Sequence, residues 1–100
     1  MLKGVLDDGE RFWLPTGPGE AELVYNLDGR RLVLLHTGVP GPARNQGTGG
    51  CLVNAALERA VAQQLVIVPL CSFARHWLQE HPDRAGEVDI DWDATLDAEP

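Results

Sequence analysis

Chemistry is concentrated in one stretch of the sequence, Val39-Pro40-Gly41-Pro42-Ala43-Arg44-Asn45-Gln46-Gly47-Thr48-Gly49-Gly50, and in a cysteine beyond it, Cys71. The stretch leads from an apolar run into a helical pattern, so its glycines fall where backbone N–H groups have no intrahelical acceptor. Those donors, with the positive end of the helix dipole, make an anion site, and glycine lets a phosphate approach without a Cβ in the way. A pyrophosphate would suit it. Spacing excludes two familiar phosphate loops. A P-loop needs G-x-x-x-x-G-K-[ST], and no Lys follows these glycines. A dinucleotide fingerprint needs G-x-G-x-x-G in a parallel β-α-β unit, whereas Gly47-x-Gly49 runs on to Leu52 and the strands before it form hairpins. On glycine content alone, a tight turn before an ordinary helix is an equal reading.

Cys71 opens a helical pattern, where the dipole favours the thiolate and so a nucleophile, although free cysteine is also a common small core residue. His36 ends an apolar strand and reads either as a base beside Cys71 or as a satisfied core histidine. Tyr25 is a core aromatic with a bonded hydroxyl or a catalytic acid. His81 before Pro82 reads as a cation at a helix end, and Cys51 as core.

The elements that must position these groups follow from periodicity. Residues 11–16 and 20–27 read as strands joined by Gly17-Pro18-Gly19, and Asp28-Gly29 turns the chain into a third strand at 31–36, whose continuous apolar character predicts burial on both faces. From Gly47 the period becomes helical, with Leu52, Ala55, Ala56, Ala60 and Val61 on one face up to Gln64. Leu65 to Leu70 suits a buried strand, a second helix carries Phe73, Trp77 and Leu78, and Pro82 is read as its stop. The order is β-β-β-α-β-α. Residues 87–92 alternate as a further strand, expected either to close the edge of the same sheet or to pair with a neighbouring subunit. Residues 93–100 read as a frayed acidic tail.

One hundred residues support one domain spanning 1–100, and 44% hydrophobic residues with 23% charged ones give it a core. A net charge of -7 argues against nucleic acid, which needs clustered Lys and Arg. With no signal-peptide run and no segment near the ~20 apolar residues of a membrane helix, no membrane is expected and the location is expected to be cytoplasmic. Cys51 and Cys71 lack the paired spacing of a zinc site, so reduced thiols and no metal are expected.

The motif Arg44-x-x-Gly47-x-Gly49 resembles the [QR]-x-x-G-x-[GA] loop of the GNAT acetyltransferases, and it sits in that family's order of strand, loop, helix, strand, helix. The likeness narrows to the short, single-domain members. Glu20-Ala21-Glu22-Leu23-Val24-Tyr25, His36-Thr37-Gly38-Val39-Pro40, the Arg44 loop, Pro69-Leu70-Cys71 and His81-Pro82 follow in that subgroup's order. The resemblance implies a minimal α+β (α/β) GNAT-like fold, a meander followed by α-β-α around a mixed sheet. It implies an N-acetyltransferase using acetyl-CoA and an unidentified amine acceptor, small or protein-borne, with a homodimer as one way to complete the pocket. By similarity, Gln46, Gly47, Thr48, Gly49 and Gly50 cradle the pyrophosphate with Arg44 nearby, Thr37 and Val39 meet the pantetheine arm, and Cys71 and His36 are the catalytic candidates.

Transfer would be direct, or would pass through an acetylated Cys71. The chain departs from the family where a tyrosine often follows the cysteine by six residues. Trp77 stands there, and its indole supplies no proton to departing CoA. It also lacks the pair of helices between the early strands, which implies an open acceptor groove. A non-catalytic CoA-binding module is the alternative from another class. A structural domain pairing through Val88 to Trp92 is the third.

Overall fold

The computed structural model describes residues 5–17, 19–41 and 47–94. The alternation at 20–27 puts Ala21, Leu23 and Tyr25 on one face, where all are buried, and leaves Glu22 and Val24 half-exposed on the other. This strand, β3 (Gly19–Asp28), pairs antiparallel with β2 (Arg11–Thr16) and with β4 (Arg31–Gly38). The β3–β4 turn uses Gly29 at φ +60°, a conformation that costs other residues a steric clash. A short β1 (Leu6–Asp7) pairs with the outer edge of β2. Two residues are too few to show a period, which is why the sequence pattern misses it.

β5 (Val66–Pro69) lies parallel to β4, and β6 (Asp89–Ile90) parallel to β5, so the sheet runs β1-β2-β3-β4-β5-β6 in chain order. The late strand therefore closes the edge of its own sheet. The helices α1 (Thr48–Gln63) and α2 (Ser72–Glu80) form the two crossovers. Both crossovers step the same way across the sheet, and the right-handed rule then places both helices on one face. Pro82, read as a stop, instead opens α3 (Pro82–Ala85) at its first turn, where the missing N–H has no intrahelical acceptor to lose. None of the described helices is long and apolar enough to cross a membrane.

The core lies between that face and the helices. Leu23, Leu32, Leu34 and Ile67 of the sheet meet Leu52, Leu57 and Leu78 of the helices, each burial contributing roughly 1.5–3 kcal/mol. The face of α1 differs from expectation. Val53 and Leu57 turn inward, whereas Val61 is 49% exposed. β4 is also buried on one face only. Leu32 and Leu34 are covered, but Val33 and Leu35 are half-exposed, because both helices sit on the other side. Across this barer face Arg11 lies 5.1 Å above the Trp13 ring and reaches Glu22 at 2.8 Å and Glu20 at 3.1 Å.

Candidate active site

The site begins with a fault in the sheet. Val24 opposes His36 and Tyr25 opposes Leu34, which leaves Leu35 as an unpaired bulge in β4. The parallel pairing of β4 with β5 ends at the same level, at Leu34 with Pro69. Beyond it β4 continues along β3 to Gly38, while the N–H groups of Leu70 and Cys71 both donate to the Leu34 carbonyl, at 3.0 and 2.9 Å. The two chains thus part, and a split opens in the sheet. Cys71 sits at its mouth as the buried N-cap of α2, in extended conformation. Its Sγ lies 3.1 Å from the Thr37 hydroxyl.

His36 is placed elsewhere. Both His36 and Thr37 are in register with β3, so they point to opposite faces. Thr37 meets Cys71 on the helix side, and His36 is exposed on the barer side. A Cβ at Gly38 would lie 3.4 Å from His36 Nε2 and 3.9 Å from Glu22 Cγ, so these two side chains flank the strand end there. The structure therefore does not bring His36 beside Cys71, nor does it bury His36 in the core. The sheet lies between them.

The helix side carries a groove of about 550 Å³ running from Val39 past Gly47, Gly49 and Gly50 and between α1 and α2. Gly47, at φ +75°, caps α1 without a side-chain bond. Gly49 and Gly50 have a reason to be glycine that the loop motif does not state. A Cβ on Gly49 would come 2.6 Å from the Phe73 ring, and one on Gly50 2.7 Å from the Trp77 indole nitrogen. The absence of side chains at these two positions lets α2 close over the first turn of α1. Thr48 is buried in this turn. Arg44 and Gln46 lie outside the described residues. Cys51, expected in the core, is half-buried and lines the groove.

Besides Cys51, the sequence reading gives no place in the groove to Asn54, Phe73, His81 or Arg84, nor to Trp77 in its present role. Arg84 donates to Asn54 Oδ1 and pairs with Glu87 at 3.3 Å. Asn54 was legible in part, since it follows Gly50 by four residues and so shares its face. The His81 ring stacks on Trp77 with centroids 3.9 Å apart, and its Nδ1–H donates to the Trp77 carbonyl at 2.7 Å. His81 thus also stacks on a ring of the groove, beyond its place at a helix end.

Tyr25 belongs to another cluster. Its hydroxyl donates to Asp7 and accepts from Arg59 Nη1 at 2.6 Å, and its ring packs on Phe12 with centroids 4.8 Å apart. Burial, and then the Asp7 carboxylate, raise its pKa from the usual 10.0. Those partners favour the reading as a bonded core aromatic. Among the described residues, no three His, Cys, Asp or Glu side chains converge as a metal site would require.

Known proteins agree with this architecture. The family described as GCN5-related N-acetyl-transferase matches residues 11–88. The NMR solution structure of a GCN5-like protein from Staphylococcus aureus, itself assigned as an N-acetyltransferase by inference, is similar at a TM-score of 0.67 and 28% identity. That likeness covers 95% of this chain and 89% of the other. No curated protein matches the chain significantly. A mixed six-stranded sheet with helices on one face and a split beside its central strand defines a GNAT-like α+β fold. The chain belongs to the GCN5-related N-acetyltransferase family, and it is an acetyltransferase by that membership.

Proposed function

We propose that the protein takes acetyl from acetyl-CoA, held in the groove between α1 and α2, and delivers it through the split in the sheet to a primary amine arriving on the opposite face. The split at Leu34 and Leu35 carries this reading, because it is where the helix side and the barer side of the sheet communicate. The first turn of α1, with Arg44 and Gln46, would hold the pyrophosphate through backbone donors. Val39 lines the same groove, and Thr37 stands at the end leading to Cys71.

Two routes fit the residues. In direct transfer the amine nitrogen bonds to the acetyl carbon, the C–S bond breaks toward sulfur, and His36 removes the amine proton from the barer face. In the second route the Cys71 thiolate first forms the C–S bond to acetyl and releases CoA, and the amine then displaces Cys71. His36 and Cys71 need not touch in either route, since one serves the acceptor side and the other the donor side. Trp77 gives no proton to the departing thiolate in either, so the proton comes from water or, in direct transfer, from the free thiol of Cys71.

A second reading, a CoA-binding module without transfer, draws support from Trp77. Its ring is held against His81 and Gly50, in the position where a proton-donating tyrosine often stands in the family. Mass spectrometry of the intact protein after incubation with acetyl-CoA, beside Cys71→Ser and with calorimetry of CoA binding, separates these. An adduct of one acetyl that disappears in Cys71→Ser supports the cysteine route. Binding without adduct, but with acetylation of an added amine, supports direct transfer. Binding with neither supports the passive module, and no binding overturns the CoA reading.

A further inference from the structure

The groove between α1 and α2 differs in charge from the rest of the molecule. The chain carries 15 Asp and Glu against 8 Lys and Arg, yet among the described residues lining this groove there is no Asp or Glu. Its charged or titratable nitrogens come from Arg84 and His81, both at the end away from Val39. An arginine in a groove whose own lining holds no acid, its partner Glu87 standing outside that lining, suits a negatively charged occupant.

The far end has two parts. One is flat and aromatic, the Trp77–His81 stack, inclined at only 14° between rings. The other is the Arg84 guanidinium, positioned by Asn54. Asn54 lies four residues past Gly50, about 6 Å further along the α1 axis. A second phosphate reaching Arg84 would thus sit roughly one helical turn from a pyrophosphate at Gly47 to Gly50, a separation that one ribose spans. The pair Arg84–Glu87 is no obstacle. It is a partly exposed ion pair three residues apart, worth little in water, and a dianionic phosphate competes for the same donors.

From this arrangement we infer that Arg84 recognises the 3′-phosphate of coenzyme A, with the Trp77–His81 stack as the surface for its adenine. The inference rests on the CoA reading above and adds the group that separates CoA from nucleotides lacking a 3′-phosphate. Flat aromatic surfaces accept any base, so Arg84, not the stack, carries the discrimination. His81 contributes through the stack, its ring held there by the Nδ1 bond to the Trp77 carbonyl.

Calorimetry of the whole chain with CoA and with 3′-dephospho-CoA tests this. The wild-type protein is expected to bind CoA about tenfold or more tightly than 3′-dephospho-CoA, the range set by one charge-assisted contact. Arg84→Gln should abolish that preference by weakening CoA alone, leaving 3′-dephospho-CoA within about twofold and thereby confirming an intact groove. Arg31→Gln, which removes the same charge beside Asp91 outside this groove, should keep the preference. Equal weakening of both ligands by Arg84→Gln, or a wild-type protein that does not distinguish them, overturns the inference while leaving CoA binding intact. Failure of both ligands to bind the wild-type protein overturns the CoA reading and this inference with it.

Discussion

The two ends of α1 are built in opposite ways. At its C-terminal end the helix is tied down. Arg59 reaches Asp7 of β1 at 2.8 Å and the Tyr25 hydroxyl of β3 at 2.6 Å. One turn later Gln64 adopts a left-handed conformation and its carbonyl accepts from Arg30 Nη2 at 2.9 Å. At its N-terminal end no side chain caps the helix, the glycines present backbone, and two aromatic rings of α2 take the room that side chains would fill. One end uses side-chain polar groups to hold the fold, and the other is the end to which the proposal above assigns the ligand. The comparison teaches where stability and binding can be changed separately.

The sharpest way to break this division is Tyr25→Ala, which deletes a buried ring and strands Asp7 and Arg59. It should lower unfolding stability by about 3–5 kcal/mol in urea titrations and leave the CoA affinity of the folded fraction unchanged. A loss of affinity equal to the loss of stability would mean the two ends are coupled. Gly50→Ala tests the other end. The added Cβ must displace the Trp77 indole at a cost of about 1–3 kcal/mol, while the helix gains about 1 kcal/mol of propensity, so stability should fall by no more than about 2 kcal/mol. CoA binding should nevertheless weaken about tenfold, because the groove wall has moved. If Gly50→Ala instead unfolds the protein, its glycine serves packing first.

A smaller effect sharpens the contrast through pH. Burial and Asp7 raise the Tyr25 pKa above 10.0, so the fold favours the neutral phenol. The resulting stability is fully present below the unfolded pKa and is lost as pH rises through the folded one. Tyr25→Phe should cost about 1 kcal/mol near neutrality, and the gap from wild type should close in unfolding titrations above about pH 10. A gap that stays constant with pH would show that the hydroxyl bonds are not what the phenol contributes.

Much of the fold was legible because its elements repeat. The strand expected at 11–16 is β2 to the residue, and the alternation through Ala21, Leu23 and Tyr25 names the buried face of β3. Short elements were not legible. Leu6–Asp7 and Pro82–Ala85 are too brief for a period, and proline reads alike as the end of one helix and the start of the next. The site divides along similar lines. The glycine start of α1 and the placement of Cys71 at the start of α2 follow from local pattern. The face of His36 does not, because the unpaired Leu35 changes the register, and a bulge leaves no signature in an apolar run. Nor does the fit of Phe73 and Trp77 against Gly49 and Gly50, which joins residues far apart in the chain.

The strand order has a bearing on how the molecule is made. Because every strand lies beside its neighbour in the chain, a polypeptide emerging from the ribosome adds each new strand to the edge just completed. No strand has to be threaded between two others. The hairpins from β1 to β4 close over short loops and so pay little entropy, which gives the later parallel strands a template already in place. Among the described residues the outermost strands are Leu6–Asp7 and Asp89–Ile90, each two residues long, and β1 covers only Phe12 and Trp13 of β2. Strands this short themselves offer a passing chain little backbone to pair with.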